Sequence, residues 1–194
     1  MQKSKIDTRK LVLGAIMTAL VIVLQLVGSF TTFFGPFSTA VALIPIVLGA
    51  AMCGTAVGAW LGFVFGMVVI LSGGAALFFA FDVPGTIITV LAKGTLCGLA
   101  AGLVYKALKR VNEYLAVFVA ALTCPLVNTG VFLLGCYLFF MDSATQIAET
   151  LSLTFSGMAV FWALAMGNFA VEVASNAVLS PILSRVLKIF KKVK

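Results

Sequence analysis

Residues 35–81 read GPFSTAVALIPIVLGAAMCGTAVGAWLGFVFGMVVILSGGAALFFAF, 47 positions without a charged side chain. A helix crosses the hydrocarbon core of a bilayer with about 20 apolar residues. The stretch is therefore too long for one crossing, and the natural break is Cys53-Gly54-Thr55. This predicts one span over residues 37–52 and another over 55–71. The rest of the chain has the same character. Of its 194 residues 62% are hydrophobic and 10% charged, with a mean hydropathy of +1.21, beyond what a water-soluble domain of this size shows. The expectation is an all-α membrane protein, a six-transmembrane-helix bundle forming a single integral-membrane domain over residues 1–194.

Four further spans fit, over residues 10–28, 86–106, 114–140 and 158–183. The connections 28–37, 72–85 and 141–157 then share one side. Lys and Arg in short flanking loops favour the cytoplasm. Lys3, Lys5, Arg9 and Lys10 precede the first span, Lys106, Lys109 and Arg110 separate the fourth and fifth, and Arg185, Lys188, Lys191, Lys192 and Lys194 follow the sixth. Twelve of the thirteen basic residues thus share one face, which predicts a multi-pass protein of the plasma membrane with both termini cytoplasmic. The net charge of +7 needs no nucleic acid, because a basic rim beside anionic headgroups accounts for it. The basic start MQKSKIDTRK resembles the n-region of a signal peptide, but the apolar run after it has no persuasive cleavage site and is expected to stay as the first helix.

Catalysis finds no support. The chain has no histidine, no G-x-S-x-G, no H-E-x-x-H and no phosphate-binding G-x-x-x-x-G-K-[ST]. Cys53, Cys97, Cys124 and Cys136 lack paired spacing and read as small core residues, so neither a metal nor a cofactor is expected. ATP, if it drives uphill transport, is hydrolysed by another chain.

Two patterns organise the bundle. Gly54, Gly58, Gly62 and Gly66 in the third span, and Gly94, Gly98 and Gly102 in the fourth, recur every four residues. Small residues at that spacing let helix backbones approach closely in lipid. Ala15 and Ala19 form a similar pair in the first span and suit either internal packing or docking of another subunit. The second pattern is polar. An ionisable side chain at membrane depth is costly and faces a protein interior or a cavity, and the chain places Lys93 in the fourth span, Asn128 in the fifth, and Asn168, Glu172 and Asn176 on one face of the sixth. At about 1.5 Å per helical residue, Lys93 and Asn168 lie roughly 13 to 15 Å from the outer ends, and Asn128 and Glu172 roughly 18 to 21 Å. Two readings stay open. The residues line one outward cavity, or Lys93 and Glu172 form a buried ion pair with the asparagines as interhelical glue.

Six spans in about 190 residues, LVLGAIMTALVIVLQ with its alanine pair, then GPFSTAVALIPIVLGA, GTAVGAWLGFVFG and LVNTGVFLLG, together resemble the substrate-binding S component of an energy-coupling factor (ECF) vitamin transporter, over essentially the whole chain. The resemblance implies capture of a vitamin or related micronutrient from outside. It also implies docking through Ala15 and Ala19 on a transmembrane coupling subunit driven by two ATPase subunits. The family's cavity lies in the outer half, between spans 4, 5 and 6. By position this implicates Lys93, Asn128, Asn168 and Glu172 in substrate binding, with Gly35, Pro36, Phe37 and Ser38 as a lid, and leaves Asn176 too deep. A lone buried lysine favours an anionic ligand, and the overall similarity is nearest the pantothenate-type members. Riboflavin, folate, another vitamin or a queuosine precursor are the alternatives. The rival from another class is a stand-alone facilitator or exporter of a small solute with Lys93 and Glu172 as a gating pair. A lipid-modifying enzyme would need acids or metal ligands that the chain lacks.

Overall fold

The computed structural model describes residues 8–31 and 41–192, and among them every regular element is a helix. In chain order these are α1 (Thr8–Thr31), α2 (Leu43–Cys53), α3 (Thr55–Leu71), α4 (Ala76–Phe79), α5 (Val83–Leu108), α6 (Glu113–Phe139), α7 (Ala144–Thr150) and α8 (Met158–Lys192). The break expected at Cys53-Gly54-Thr55 is where α2 passes into α3. Gly54 makes that junction with φ of 110°, a conformation side chains disfavour.

Six helices of membrane length are expected, and four have it: α1, α5, α6 and α8 are long and apolar enough to cross a bilayer. The helices α2 and α3 are apolar but only 11 and 17 residues long. Glycine sets both limits, since Gly54 ends α2 and Gly73, with φ of 78°, lies just past α3. The segments expected as plain connections carry the short helices α4 and α7. Their apolar residues pack on the bundle, where Ala144, Ile147 and Ala148 of α7 are buried.

Local signals start the long helices. Pro84 occupies the first turn of α5 after Asp82, where a missing N–H costs nothing. At α6 the Asn112 side chain accepts from the Tyr114 and Leu115 backbone N–H groups at 2.9 and 3.3 Å, satisfying donors that the helix leaves unpaired.

The packing is led by α5, which lies between α3 and α6, while α8 packs on α6 and α1 packs on α2 and α3. The two glycine ladders meet. A Cβ on Gly62 would fall on the Gly94 carbonyl and one on Gly94 on the Gly62 carbonyl, and Gly58 and Gly98 are related in the same way. One turn further, Gly66 faces the Val90 carbonyl, and Gly102 faces Thr55. The two helices therefore run antiparallel in backbone contact. Ser29 of α1 donates to Ser72 at 2.9 Å, which puts the end of α1 beside the end of α3. At the other end the Lys188 ammonium stands 3.7 Å over the Tyr114 ring. Two apolar clusters result. The larger joins α1, α2, α3, α5, α6 and the second half of α8. The smaller joins the end of α6, α7 and the start of α8, with Leu77, Phe78 and Phe81 against it.

Replacing Gly62 by valine puts a branched side chain into a backbone carbonyl, so Gly62→Val is expected to lower stability by about 3 kcal/mol, the upper range for overpacking. Gly130, whose added Cβ meets nothing within 4 Å, is the control. Gly130→Ala is expected to raise stability by up to about 1 kcal/mol through helix propensity. Thermal unfolding in detergent reads both, and equal melting of Gly62→Val and the unaltered protein would show that α3 and α5 do not meet through these glycines.

Candidate functional site

A cavity of about 460 Å³ opens between the two apolar clusters, a size suited to a small organic ligand. Gln25 and Ser29 of α1, Val69 of α3 and the residues Ser72 to Gly74 after it supply one part of its wall, and Leu77 and Phe78 of α4 border it. Lys93 of α5, Asn128, Thr129 and Phe132 of α6, and Leu164, Ala165 and Asn168 of α8 supply the rest. Three of the four expected substrate-binding residues, Lys93, Asn128 and Asn168, are thus brought together on one surface. They come from three helices, so only the packed bundle assembles them.

The fourth, Glu172, stands behind this surface with no exposure at all. Asn168 Nδ2 donates to Glu172 Oε1 at 3.0 Å, and Asn128 Nδ2 lies 3.4 Å from both carboxylate oxygens. A carboxylate only accepts hydrogen bonds, so it fixes which end of each amide faces it. The Nδ2 group of Asn128 is turned to Glu172 and its Oδ1 is turned away. Among the described residues that oxygen has no hydrogen-bond partner. Asn176, one turn deeper, donates to the Glu172 backbone carbonyl at 2.8 Å and does not line the cavity.

Lys93 is held differently. Its ammonium lies 5.4 Å from the centroid of the Phe132 ring, within reach of a cation–π attraction. Glu172 is the carboxylate whose charge acts on it, yet no ion pair involving Lys93 forms among the described residues. Phe78 packs edge-on against Phe132 and Phe140, with centroids 5.5 and 5.1 Å apart. In this way α4 closes the apolar side of the cavity. Lys93 also borders a small side pocket of about 40 Å³, where the Thr89 hydroxyl has no partner among the described residues.

The lid expected at Gly35, Pro36, Phe37 and Ser38 lies outside the described residues. Ala15 and Ala19 are exposed on α1, beside exposed Leu11, Val12, Ile16 and Leu20, while Met17, Val21 and Gln25 form the face turned into the bundle. Of the four cysteines expected as small core residues, Cys97, Cys124 and Cys136 are buried, and Cys53 at the end of α2 is half-buried. Among the described residues no three His, Cys, Asp or Glu side chains are grouped to hold a metal.

Sequence reading missed Gln25, Ser29, Ser72, Phe78 and Phe132. Gln25 left a signal, being the amide in a helix otherwise read for its apolar residues and its alanine pair. The serines left none, since hydroxyls in lipid-facing helices commonly bond their own backbone, as Ser29 also does with the Gln25 carbonyl.

No curated protein and no solved structure matches the chain. Residues 9–184, the part that builds this cavity and the exposed alanine face, match the family described as ECF transporter, substrate-specific component, and the chain belongs to that family.

Proposed function

We propose that the protein captures a small anionic micronutrient of the pantothenate kind and delivers it as the S component of an ABC-type importer. Six spans with both termini at the cytoplasmic face of the plasma membrane, and a lid at Gly35 to Ser38, belong to this reading. The short apolar helices α2 and α3 count among the six spans in this reading. The observation that carries the proposal is Lys93, a cation on the wall of a deep cavity with an aromatic neighbour and no carboxylate at ion-pair distance among the described residues. A buried ammonium left without a counter-ion is costly, and a ligand carboxylate relieves that cost. The same distance weighs against a gating ion pair between Lys93 and Glu172.

Glu172 has a positioning role in this reading. It takes the amide N–H groups of Asn128 and Asn168, which leaves Asn128 Oδ1 for the ligand and lets Lys93 act as the donor to its anionic end. A charge-assisted hydrogen bond of that kind is about twice as strong as a neutral one.

Two experiments test the proposal. Lys93→Met removes the charge with little change in volume, and affinity for pantothenate is expected to fall at least about tenfold, or about 1.4 kcal/mol, while the ligand-free protein melts unchanged. A structural ion pair predicts the reverse, a loss of ligand-free stability that Glu172→Gln restores with affinity unaltered. The second concerns the exposed alanines. Ala15→Leu combined with Ala19→Leu adds bulk where helix backbones must approach. Ligand binding is expected to persist, and co-purification with the coupling subunit and ATP-dependent uptake to be abolished. Normal uptake by the double variant would place the docking surface elsewhere.

A further inference from the structure

The cavity has a second polar border, at Gln25, Ser29 and Ser72, and it holds one unpaired acceptor. Gln25 is 2% exposed, and its Nε2 is directed to Ser29 Oγ at 3.4 Å. Ser29 is in turn tied to the Gln25 carbonyl and to Ser72. The amide is thus turned with its N–H group toward the serines, and Gln25 Oε1 has no hydrogen-bond partner among the described residues. A buried carbonyl oxygen left unpaired is expensive, while a neutral donor supplied to it recovers the loss. Counting about 1.5 Å per residue from the helix ends, Gln25 is roughly 9 Å deep and Lys93 roughly 15 Å. The cationic end of the cavity therefore lies deeper than the amide end. At the level of Lys93 or just below, Asn128 Oδ1 is a second buried acceptor without a partner among the described residues, its Nδ2 group being turned to Glu172.

We infer that the ligand is a monocarboxylate that also carries hydroxyl or amide donors. Its anionic group enters first, to Lys93, and its donor-bearing end is read by Gln25 from α1. This inference rests on the binding role proposed above and adds the chemical class and the residue that selects it. One cation and two acceptors exclude several other classes as the best fit. A cationic ligand would face Lys93 across a site of low dielectric. A flat heterocycle without a carboxylate would leave the ammonium unneutralised. A simple fatty acid would satisfy Lys93 but leave both amide oxygens dry and unpaired. Gln25 also has a place in the packing, since α1 rests on α2 and α3 while Lys93 and Asn128 stand on α5 and α6. A ligand that bonds both ends joins the helix carrying Ala15 and Ala19 to the rest of the cavity.

The test uses the purified full chain and three probes: pantothenate, which has the carboxylate, an amide N–H and two hydroxyls; panthenol, in which an alcohol replaces the carboxylate; and an analogue of pantothenate with both hydroxyls replaced by hydrogen. Affinities are measured by calorimetry for the unaltered protein and for Gln25→Met, with ligand-free melting recorded for both. The expected order for the unaltered protein is pantothenate tightest, with each analogue at least about tenfold weaker. Gln25→Met is expected to weaken pantothenate about tenfold and to leave the hydrogen-substituted analogue within about twofold, because the lost contact is one that analogue never made. Ligand-free melting is expected to hold or rise, since the variant removes an unpaired buried acceptor. Should Gln25→Met weaken both carboxylates equally, Gln25 shapes the cavity and does not read the hydroxyls. Panthenol binding as tightly as pantothenate, or no probe binding at all, overturns the ligand class. Neither result touches the transport reading, which fails separately if no coupling subunit and ATPases co-purify with the chain.

Discussion

The contact between the backbones of Gly62 and Gly94 sets the rest of the structure. With no Cβ on either residue, a carbonyl of each helix lies where the other's side chain would be. That closeness fixes not only the distance between α3 and α5 but also the rotation of α5 about its own axis. Successive residues on a helix point about 100° apart. With Gly94 and Gly98 pressed on α3, the neighbouring Lys93 must leave that interface, and it emerges on the cavity wall. The same rotation brings Thr89 to Gly135 of α6, which a Cβ would bring into collision with the threonine side chain. Lipid gives no apolar driving force for helix association, so this close packing also holds the polar site together.

The polar groups form a graded arrangement and not a scattered set. Behind the cavity wall is Glu172, wholly buried, whose carboxyl oxygens are met by amide N–H groups. Above it Asn128 and Lys93 border the cavity, and nearer the helix ends lie Gln25 and the serines. Each layer orients the next. If Glu172 were absent, Asn128 would be free to present either end, and the cavity wall would lose a fixed pattern of donors and acceptors. In the proposed binding role, a carboxylate remote from the ligand would thus govern recognition through the amides it fixes.

Much of this was legible in the sequence, and the physical reason is the expense of polarity in lipid. A lysine and three amides within apolar spans must be sheltered, so Lys93, Asn128 and Asn168 converge as expected. The glycine ladders and the break at Gly54 were legible because only glycine permits those approaches and that φ. What stayed hidden depends on rotation and on chemistry too common to stand out. Phe78 and Phe132 are two of 17 phenylalanines, and nothing in the chain distinguishes the ones that line the cavity. The helices α4 and α7 are short segments of ordinary composition, given their form by the clusters they pack against. Glu172 was legible as buried, but its place behind the wall depends on which way two asparagine amides turn, a matter of tertiary geometry.

The helix α1 bears on both sides of the proposed function. One face of it, through Met17, Val21 and Gln25, is turned into the bundle and reaches the cavity, and the other, through Ala15, Ile16 and Ala19, is exposed. Its packing partners are the shorter helices α2 and α3, so its inner face borders the cavity without being locked to the helices that carry Lys93, Asn128 and Asn168. A ligand can influence a distant surface only through a difference in its contacts between two states. In this bundle the contact available for such a difference is the one between the ligand and Gln25. Occupancy would then be felt in the placement of α1, six residues from Ala19 along a continuous helix, and the proposed docking face would carry information about whether the cavity is filled.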